Sequence, residues 1–306
     1  MSSMSVCFWG TRGSIPTPGR RTERYGGNTT CVEVRYEDQC VILDAGSGIR
    51  ELGASRMRLR GGEQFNAHLL LTHLHWDHIQ GFPFFGPAYV PGNKLSIYGQ
   101  SRSSGGLKDL LGGQMGGDFF PVPFDAMQAD VKFYETTADF QIGPIRIQTI
   151  SLPHPGGCLG YRLEAGGHVF VFATDNEMDQ VAVNQDEVVK DFDQKRQYEP
   201  QLMRFLEGAN LLVLDCQHTD KEYQAKRGWG HNSVATTADL IAQVQPDMVA
   251  LTHHDPENDD GKVAAMVVDT IGRAHSAGAI GTLIFAAREG MTLKVEKPIL
   301  PMAIAT

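Results

Sequence analysis

Cysteine is scarce in this sequence, and long apolar runs are absent. The five cysteines among 306 residues are scattered, odd in number and never spaced as CxxC. This pattern argues against a disulfide framework and against a cysteine zinc site. The N-terminus has no charged segment followed by an apolar run, and no stretch is long enough to cross a bilayer. We therefore expect a cytoplasmic protein with no membrane partner.

Positive charge is also in short supply. The chain has 27 Lys and Arg against 36 Asp and Glu, a formal net charge of −9. A surface that follows a nucleic-acid backbone needs clustered basic residues. The densest basic cluster, Arg56 to Arg60, alternates with apolar residues, which is more typical of a solvated edge of an element. The composition therefore argues against a nucleic-acid partner.

Short apolar runs rich in Val, Ile and Leu predict strands that are covered on both faces. The predicted strands are residues 31–35, 41–43, 68–71, 145–150, 168–172, 211–214 and 248–251. Five runs end at a polar residue: Asp44, His73, Asp175, Asp215 and His253. Polar side chains at strand ends lie at the rim of a sheet, where they can converge on a cleft.

Helical periodicity is clearest from Asn232 to Pro246, and further helices are predicted near residues 200–207 and 263–277. Strands in two batches with helices between them give the class α/β. They favour two packed sheets covered by helices, a four-layer αββα sandwich. Because the chain is long and 42% hydrophobic, we expect one domain spanning residues 1–306.

A loop-rich excursion is predicted at about residues 100–130. Its glycine-rich part, Gly105 to Pro123, has room for a short helix at most. The glycines do not follow a strand in the order GxxxxGK[ST], which argues against a phosphate-binding loop. The sequence leaves two interpretations open, a flap over a cleft and an ordinary surface excursion.

The segment THLHWDH places three histidines and an aspartate within six residues, directly after a predicted strand. Alternation in an extended segment points His73 and His75 to one side, and the following turn brings Asp77 and His78 to the same cleft. As core residues, each of the four would need a buried partner. Imidazole and carboxylate groups suit zinc and other first-row metals. The cluster therefore predicts a metal centre.

Two adjacent metal sites need more ligands, and the sequence offers three downstream. His154 lies in the loop SLPHPGG, while Asp175 and His253 end predicted strands. Singly, these residues could be a loop histidine, a helix N-cap and a satisfied strand-end histidine. Together with THLHWDH they complete a dinuclear set.

THLHWDH resembles the HxHxDH signature of the metallo-β-lactamase superfamily, and His154, Asp175 and His253 follow in its order. The segments FWGTRGSIPTPG, RYGGNTTCVEV, ILDAGSGI and GHNSVATTADLIAQVQPDMVALTHHDP resemble the RNase Z and phosphodiesterase branch. In that branch a Gly-His-Ser/Thr segment opens a helix, whereas here Asn232 stands between His231 and Ser233. The resemblance spans nearly the whole chain and implies the metallo-β-lactamase fold.

The resemblance also implies roles for individual residues. It assigns His73, His75 and His154 to one metal, Asp77, His78 and His253 to the other, and Asp175 to a bridging position. Asp44 would support the histidines from behind, and His231 would lie near the departing group. His254 directly follows His253; we favour His253 as the ligand because it occupies the Leu-Thr-His position, and His254 is a candidate supporting residue behind the ligands. Zinc is the first expectation, with manganese, iron or nickel compatible, and the resemblance favours a homodimer.

The implied activity is hydrolysis through a hydroxide that bridges two divalent metals, with Asp77 orienting it and His231 acting as general acid. A small cyclic or nucleotide diester is the expected substrate. Transfer-RNA processing is disfavoured because the chain is acidic and lacks a basic, glycine-rich arm. Two alternatives remain open: a thioester, lactone or lactam hydrolase, and a non-catalytic metal-bearing regulatory or binding module.

Overall fold

Two seven-stranded sheets form the centre of the computed structural model, which describes residues 3–59, 64–100, 106–136, 138–191 and 194–296. The first sheet contains β1 (Ser5–Gly10), β2 (Cys31–Tyr36), β3 (Gln39–Leu43), β4 (Asn66–Leu70), β5 (Lys94–Gly99), β6 (Asp130–Glu135) and β14 (Thr292–Lys294). The second contains β7 (Phe140–Ile142), β8 (Ile145–Leu152), β9 (Cys158–Ala165), β10 (His168–Ala173), β11 (Leu211–Asp215), β12 (Met248–Thr252) and β13 (Leu283–Ala286). Their strand orders are β14-β1-β2-β3-β4-β5-β6 and β13-β12-β11-β10-β9-β8-β7.

Eight α-helices cover the sheets or connect their strands. They are α1 (Ile49–Leu59), α2 (Trp76–Ile79), α3 (Gly106–Gly113), α4 (Gln185–Lys190), α5 (Pro200–Leu206), α6 (Asp220–Lys226), α7 (Val234–Val244) and α8 (Asp260–Ser276) among the described residues. None of these helices is long and apolar enough to cross a membrane.

Each sheet is antiparallel in one part and parallel in the other. In the first sheet β3, β4, β5 and β6 are parallel neighbours, and in the second β10, β11, β12 and β13 are. Parallel strands bring their carboxyl ends to one edge of a sheet. The residues that follow β3, β4, β10, β11 and β12 therefore come to the edges from which a cleft can be built.

Three apolar layers hold the sheets and helices together. Phe8, Leu43, Tyr161, Phe172 and Val213 belong to the core between the two sheets. A second core joins the outer face of the second sheet to α5, α7 and α8. A third joins the outer face of the first sheet to α1 and α3. This arrangement confirms the predicted αββα sandwich.

All seven predicted strands and all three predicted helices are present, with ends shifted by a few residues. The strands that the sequence analysis did not predict are mostly shorter or half-buried. In β5, for example, buried and partly exposed positions alternate, and the segment lacks a continuous apolar run. Such strands depend on their neighbours in the sheet more than on their own composition.

In the basic cluster that begins at Arg56, Arg58 is exposed, as expected for a solvated edge, whereas Arg56 is only partly exposed. Arg56 lies in α1 and donates to both carboxylate oxygens of Glu33, which is buried in β2. Trp9 donates to the same carboxylate at 3.1 Å. Arg56 therefore neutralises a buried charge and attaches α1 to the first sheet, while Arg60 lies outside the described residues.

The central core gives a stability prediction. Val213 is fully buried between the sheets, whereas Val268 on α8 is 69% exposed. Val213→Ala should lower the free energy of unfolding by about 2 kcal/mol, because apolar burial is lost and a cavity remains. Val268→Ala should change it by less than about 0.5 kcal/mol. Denaturant titration of both variants tests this, and equal effects would contradict the assigned core.

Candidate metal centre

Strained turns aim three candidate residues at the cleft. Asp44, Asp175 and His253 follow β3, β10 and β12, and all three have positive φ angles of 62°, 58° and 54°. A left-handed conformation is unfavourable for residues other than glycine and is concentrated at functional sites. At Asp44, Asp175 and His253 this conformation ends the strand and directs the side chain toward the edge of the sheet, away from the core.

A trihistidine group forms the first half of the site. It consists of His73 and His75, just after β4, and His154, in the turn after β8. His154 Nε2 lies 3.1 Å from His75 Nδ1, and the three ring centroids are 4.3 to 4.9 Å apart. His154 Nδ1 lies 3.0 Å from the carbonyl oxygen of Gly230, which leaves Nε2 directed at the other two rings. One cation can contact all three nitrogens.

A second group contains two carboxylates and two imidazoles, all buried: Asp77, His78, Asp175 and His253. Asp175 Oδ1 lies 3.3 Å from His78 Nε2 and 3.1 Å from His253 Nε2. Asp77 Oδ2 lies 3.3 Å and 3.1 Å from the same two nitrogens. In each group the candidate ligand atoms lie within 4.8 Å of one another, a spacing that a single divalent ion can span.

Two buried polar atoms in this centre lack a hydrogen-bond partner among the described residues. They are His73 Nε2 and Asp175 Oδ2. Leaving a buried acceptor unpaired costs about 1–3 kcal/mol, more for a charged group. A cation bound to these atoms removes that cost, and the histidine and carboxylate donors suit a first-row divalent metal. The residues present therefore fit a metal centre.

The protonation of the histidines differs between the two groups. Burial lowers the pKa of His73, His75 and His154, so their nitrogen lone pairs are available. Nearby His78 lowers the pKa of His73 and His75 further, whereas Asp175 opposes the shift at His154. Burial also opposes charge at His78 and His253, but the carboxylates beside them raise the pKa of both. Conversely, these imidazoles hold the pKa of Asp77 and Asp175 below the ordinary value despite burial. In the second group a metal therefore competes with protons.

Asp44 fixes the histidines from behind. Its Oδ2 lies 2.8 Å from His78 Nδ1, so that the opposite nitrogen faces the cluster. It also accepts hydrogen bonds from the Thr72 backbone N–H at 2.8 Å and from the Thr72 hydroxyl. That hydroxyl lies 3.0 Å from His73 Nδ1. The predicted supporting role of Asp44 therefore agrees with its position, and it reaches ligands of both groups.

His231 lies beside the centre, immediately before α7. Its ring centroid is 5.3 Å from that of His154 and 5.0 Å from that of His253. Its Nδ1 lies 3.2 Å from Asp215 Oδ2, which directs Nε2 away from this carboxylate. The additional Asn232 accepts from the Met178 N–H at 2.9 Å and donates to Asp215 Oδ1 at 3.2 Å. Ser233 then caps α7, so the insertion is absorbed by the turn.

Two residues close to His231 were not predicted from the sequence. Glu177 accepts hydrogen bonds from the backbone N–H groups of Gly228 and Gly230, and from the Tyr223 hydroxyl at 2.8 Å. It thereby fixes the loop that leads to His231. His218 received no role, yet it is buried 6.2 Å from the His231 ring, and burial lowers its pKa to about 4. The only available signal was position, because Glu177 and His218 lie four and three residues beyond the ends of β10 and β11.

His254 lies outside both ligand groups. Its Nε2 is 3.4 Å from the Ala287 carbonyl oxygen, and its ring packs against Tyr25. Burial lowers its pKa to about 3. His253, in contrast, has Nε2 in the second group. The structure therefore separates the two adjacent histidines that the sequence left ambiguous.

A family model described as a beta-lactamase superfamily domain matches residues 39–254. The chain belongs to this superfamily. Ribonuclease Z of Natronomonas pharaonis is 27% identical over 289 residues, which cover 82% of this chain and 87% of that protein. These findings confirm the expected superfamily and its RNase Z and phosphodiesterase branch.

Solved structures confirm the metallo-β-lactamase fold. A diphosphatase from the PhnP family has a TM-score of 0.66 at 15% identity and covers 96% of this chain and 98% of that one. Human tRNase Z, short form, has a TM-score of 0.61 at 17% identity, with 96% and 100% covered. Superfamily membership and the histidine–aspartate cluster identify the chain as a metal-dependent hydrolase that binds divalent metal.

Asp44 provides a test of this centre. Asp44→Asn removes the charge that orients His78 and should weaken divalent-metal affinity by about 10–100-fold. Zinc titration against a competing chelator measures the change. Asp118→Asn, at an exposed position of the loop-rich excursion, serves as the control and should leave the affinity unchanged. An unchanged affinity in Asp44→Asn would contradict the supporting role.

Proposed function

We propose that this chain is a dinuclear phosphodiesterase that hydrolyses a small cyclic or nucleotide diester, with zinc as its first-choice metal. The trihistidine group would hold one ion and Asp77, His78 and His253 the other, with Asp175 between them. The single observation that carries this proposal is the pair of unpartnered buried atoms, His73 Nε2 and Asp175 Oδ2, one in each group. A carboxylate with one oxygen in the second group and a free second oxygen suits a bridging position.

When bound, the metals supply a Lewis acid and lower the pKa of water toward neutrality. Asp77 is held in place by the Ser14 backbone N–H, which donates to Oδ2 at 2.7 Å, and it can orient a water or accept its proton. His231, with Nδ1 at Asp215, can present a proton at Nε2 to a leaving oxygen. Burial of Asp215 keeps this imidazole orientation fixed.

Several features support a phosphodiester. The relative from Natronomonas pharaonis is a ribonuclease by name, and the PhnP-family neighbour is a diphosphatase. The His231–Asp215 pair favours a substrate whose leaving oxygen needs a proton, as an alkoxide does. A thioester, lactone or lactam hydrolase of the same fold is the alternative, and a non-catalytic metal-bearing module is the alternative of another class.

The negative charge of the protein favours a small substrate over a folded RNA. The net charge is −9, and Lys226, a basic residue near His231, is already paired with Asp255 at 2.8 Å. RNA-binding surfaces need several free basic side chains to neutralise phosphates. Because relatives include a ribonuclease, the activity test should include a transfer-RNA precursor as a substrate.

The activity itself gives a prediction. Purified protein should carry close to two divalent metals per chain and hydrolyse bis(p-nitrophenyl) phosphate faster than a thioester or a lactone. Elemental analysis and kcat/KM for each substrate measure this, and chelation followed by zinc or manganese addition should remove and restore turnover. If the metal-loaded protein hydrolyses only the thioester or the lactone, the alternative hydrolase is favoured. If it binds metal but hydrolyses none of the substrates, the non-catalytic module is favoured.

The role of His231 gives a separate prediction. His231→Ala should lower kcat by about 10²–10⁴-fold for a diester with an alkyl leaving group, because the general acid is lost. The loss should be much smaller for a p-nitrophenyl ester, whose leaving group departs without protonation. Kinetics on the two esters, with metal content measured in the same samples, distinguish a general-acid role of His231 from a role as metal ligand. Equal losses on both esters would contradict the general-acid role.

A further inference from the structure

A cavity of about 280 Å³ opens beside the trihistidine group, and nothing in the proposed mechanism uses it. His73 and His75 form one wall. Among the described residues its lining includes neither His154 nor His231. The His231 ring lies against His154 and His253 instead, so the proposed general acid is outside the cavity.

The far wall comes from the loop-rich excursion. In α3, Leu107 and Leu111 are buried in the core of the first sheet, whereas Leu110 is 38% exposed and lines the cavity. This short helix is the one expected in the segment from residue 105 to Pro123. Residue 105 lies outside the described residues. Ligand pockets are commonly lined by apolar side chains beside a few polar groups, as Leu110 and the two histidines are here.

The floor is the glycine turn that carries His154. Gly156 and Gly157 both have φ of 82°, in the left-handed region that favours glycine. A Cβ on Gly156 would lie 3.5 Å from His75 Nε2. The turn therefore leaves space next to the ring, and the remaining lining is mixed, with the polar Gln100 and Ser151 beside the apolar Leu159.

We propose that this cavity binds the group that stays on the phosphate after cleavage, and that Leu110 determines its size. This inference rests on the proposed diester hydrolysis. The leaving group receives its proton from His231, which does not line the cavity, so the cavity remains available for the group that is retained. A volume of about 280 Å³ lies just below the usual range of ligand pockets, roughly 300–1,000 Å³. It accommodates a nucleoside or an aryl group.

The test uses three diesters with one leaving group, the p-nitrophenyl esters of methyl phosphate, phenyl phosphate and thymidine 5′-phosphate. Because the departing group is constant, differences in kcat/KM report on the retained group alone. The wild-type protein should prefer the thymidine ester to the methyl ester by roughly tenfold or more. Thymidine 5′-monophosphate should also inhibit more strongly than methyl phosphate, which reports binding without turnover.

Leu110→Trp, which fills the cavity, should lower the ratio of thymidine to methyl kcat/KM by roughly tenfold. Asp109→Trp adds the same side chain at the neighbouring exposed position of α3 and should leave the ratio as in the wild type. If Leu110→Trp does not fold, as judged by circular dichroism and metal content, Ser151→Trp fills the cavity from the opposite wall.

The outcomes separate this inference from the function on which it rests. If no ester is cleaved by the metal-loaded protein, the proposed phosphodiesterase activity itself is wrong. If all three esters are cleaved with equal kcat/KM, or if the ratio survives in Leu110→Trp and Ser151→Trp, the activity stands and the cavity assignment is overturned.

Discussion

The site depends on one buried carboxylate, Asp175. Its Oδ1 lies within 3.3 Å of two imidazole nitrogens, and its Oδ2 has no hydrogen-bond partner among the described residues. A buried anion is tolerated only where positive charge compensates it. Protonated His78 and His253 can provide that charge without metal, and a divalent ion does so when it is bound. The centre is therefore arranged for a cation, and folding and metal binding are coupled through it.

Carboxylates behind the ligands give the site its rigidity. Asp44 orients His78 and, through Thr72, His73, while Asp215 orients His231. Glu177 holds the loop before His231 through backbone N–H groups. Each of the three is nearly inaccessible to solvent, so that its interactions are strong and its geometry is fixed. These supports allow side chains from both sheets to meet with little freedom of movement.

Charge and cavity size support the proposal of a small diester substrate. The net charge of −9 and the pairing of Lys226 with Asp255 leave little positive charge near His231 for an extended polyanion. The cavity beside His75, with Leu110 at its far wall, is limited to about 280 Å³. The superfamily supports many chemistries on one fold, so that substrate choice depends on such local features rather than on the sandwich itself.

The amino-acid sequence by itself determined the fold class, the buried strands and the set of candidate ligands. Continuous apolar runs and clustered histidines are local signals, and the order His73, Asp175, His253 needs no coordinates. Tertiary structure alone decided which residues face one another. It separated His253 from His254, revealed Glu177 and His218 near His231, and gave Arg56 a buried partner. Those relations join residues distant along the chain, through packing and strained turns that leave no local pattern.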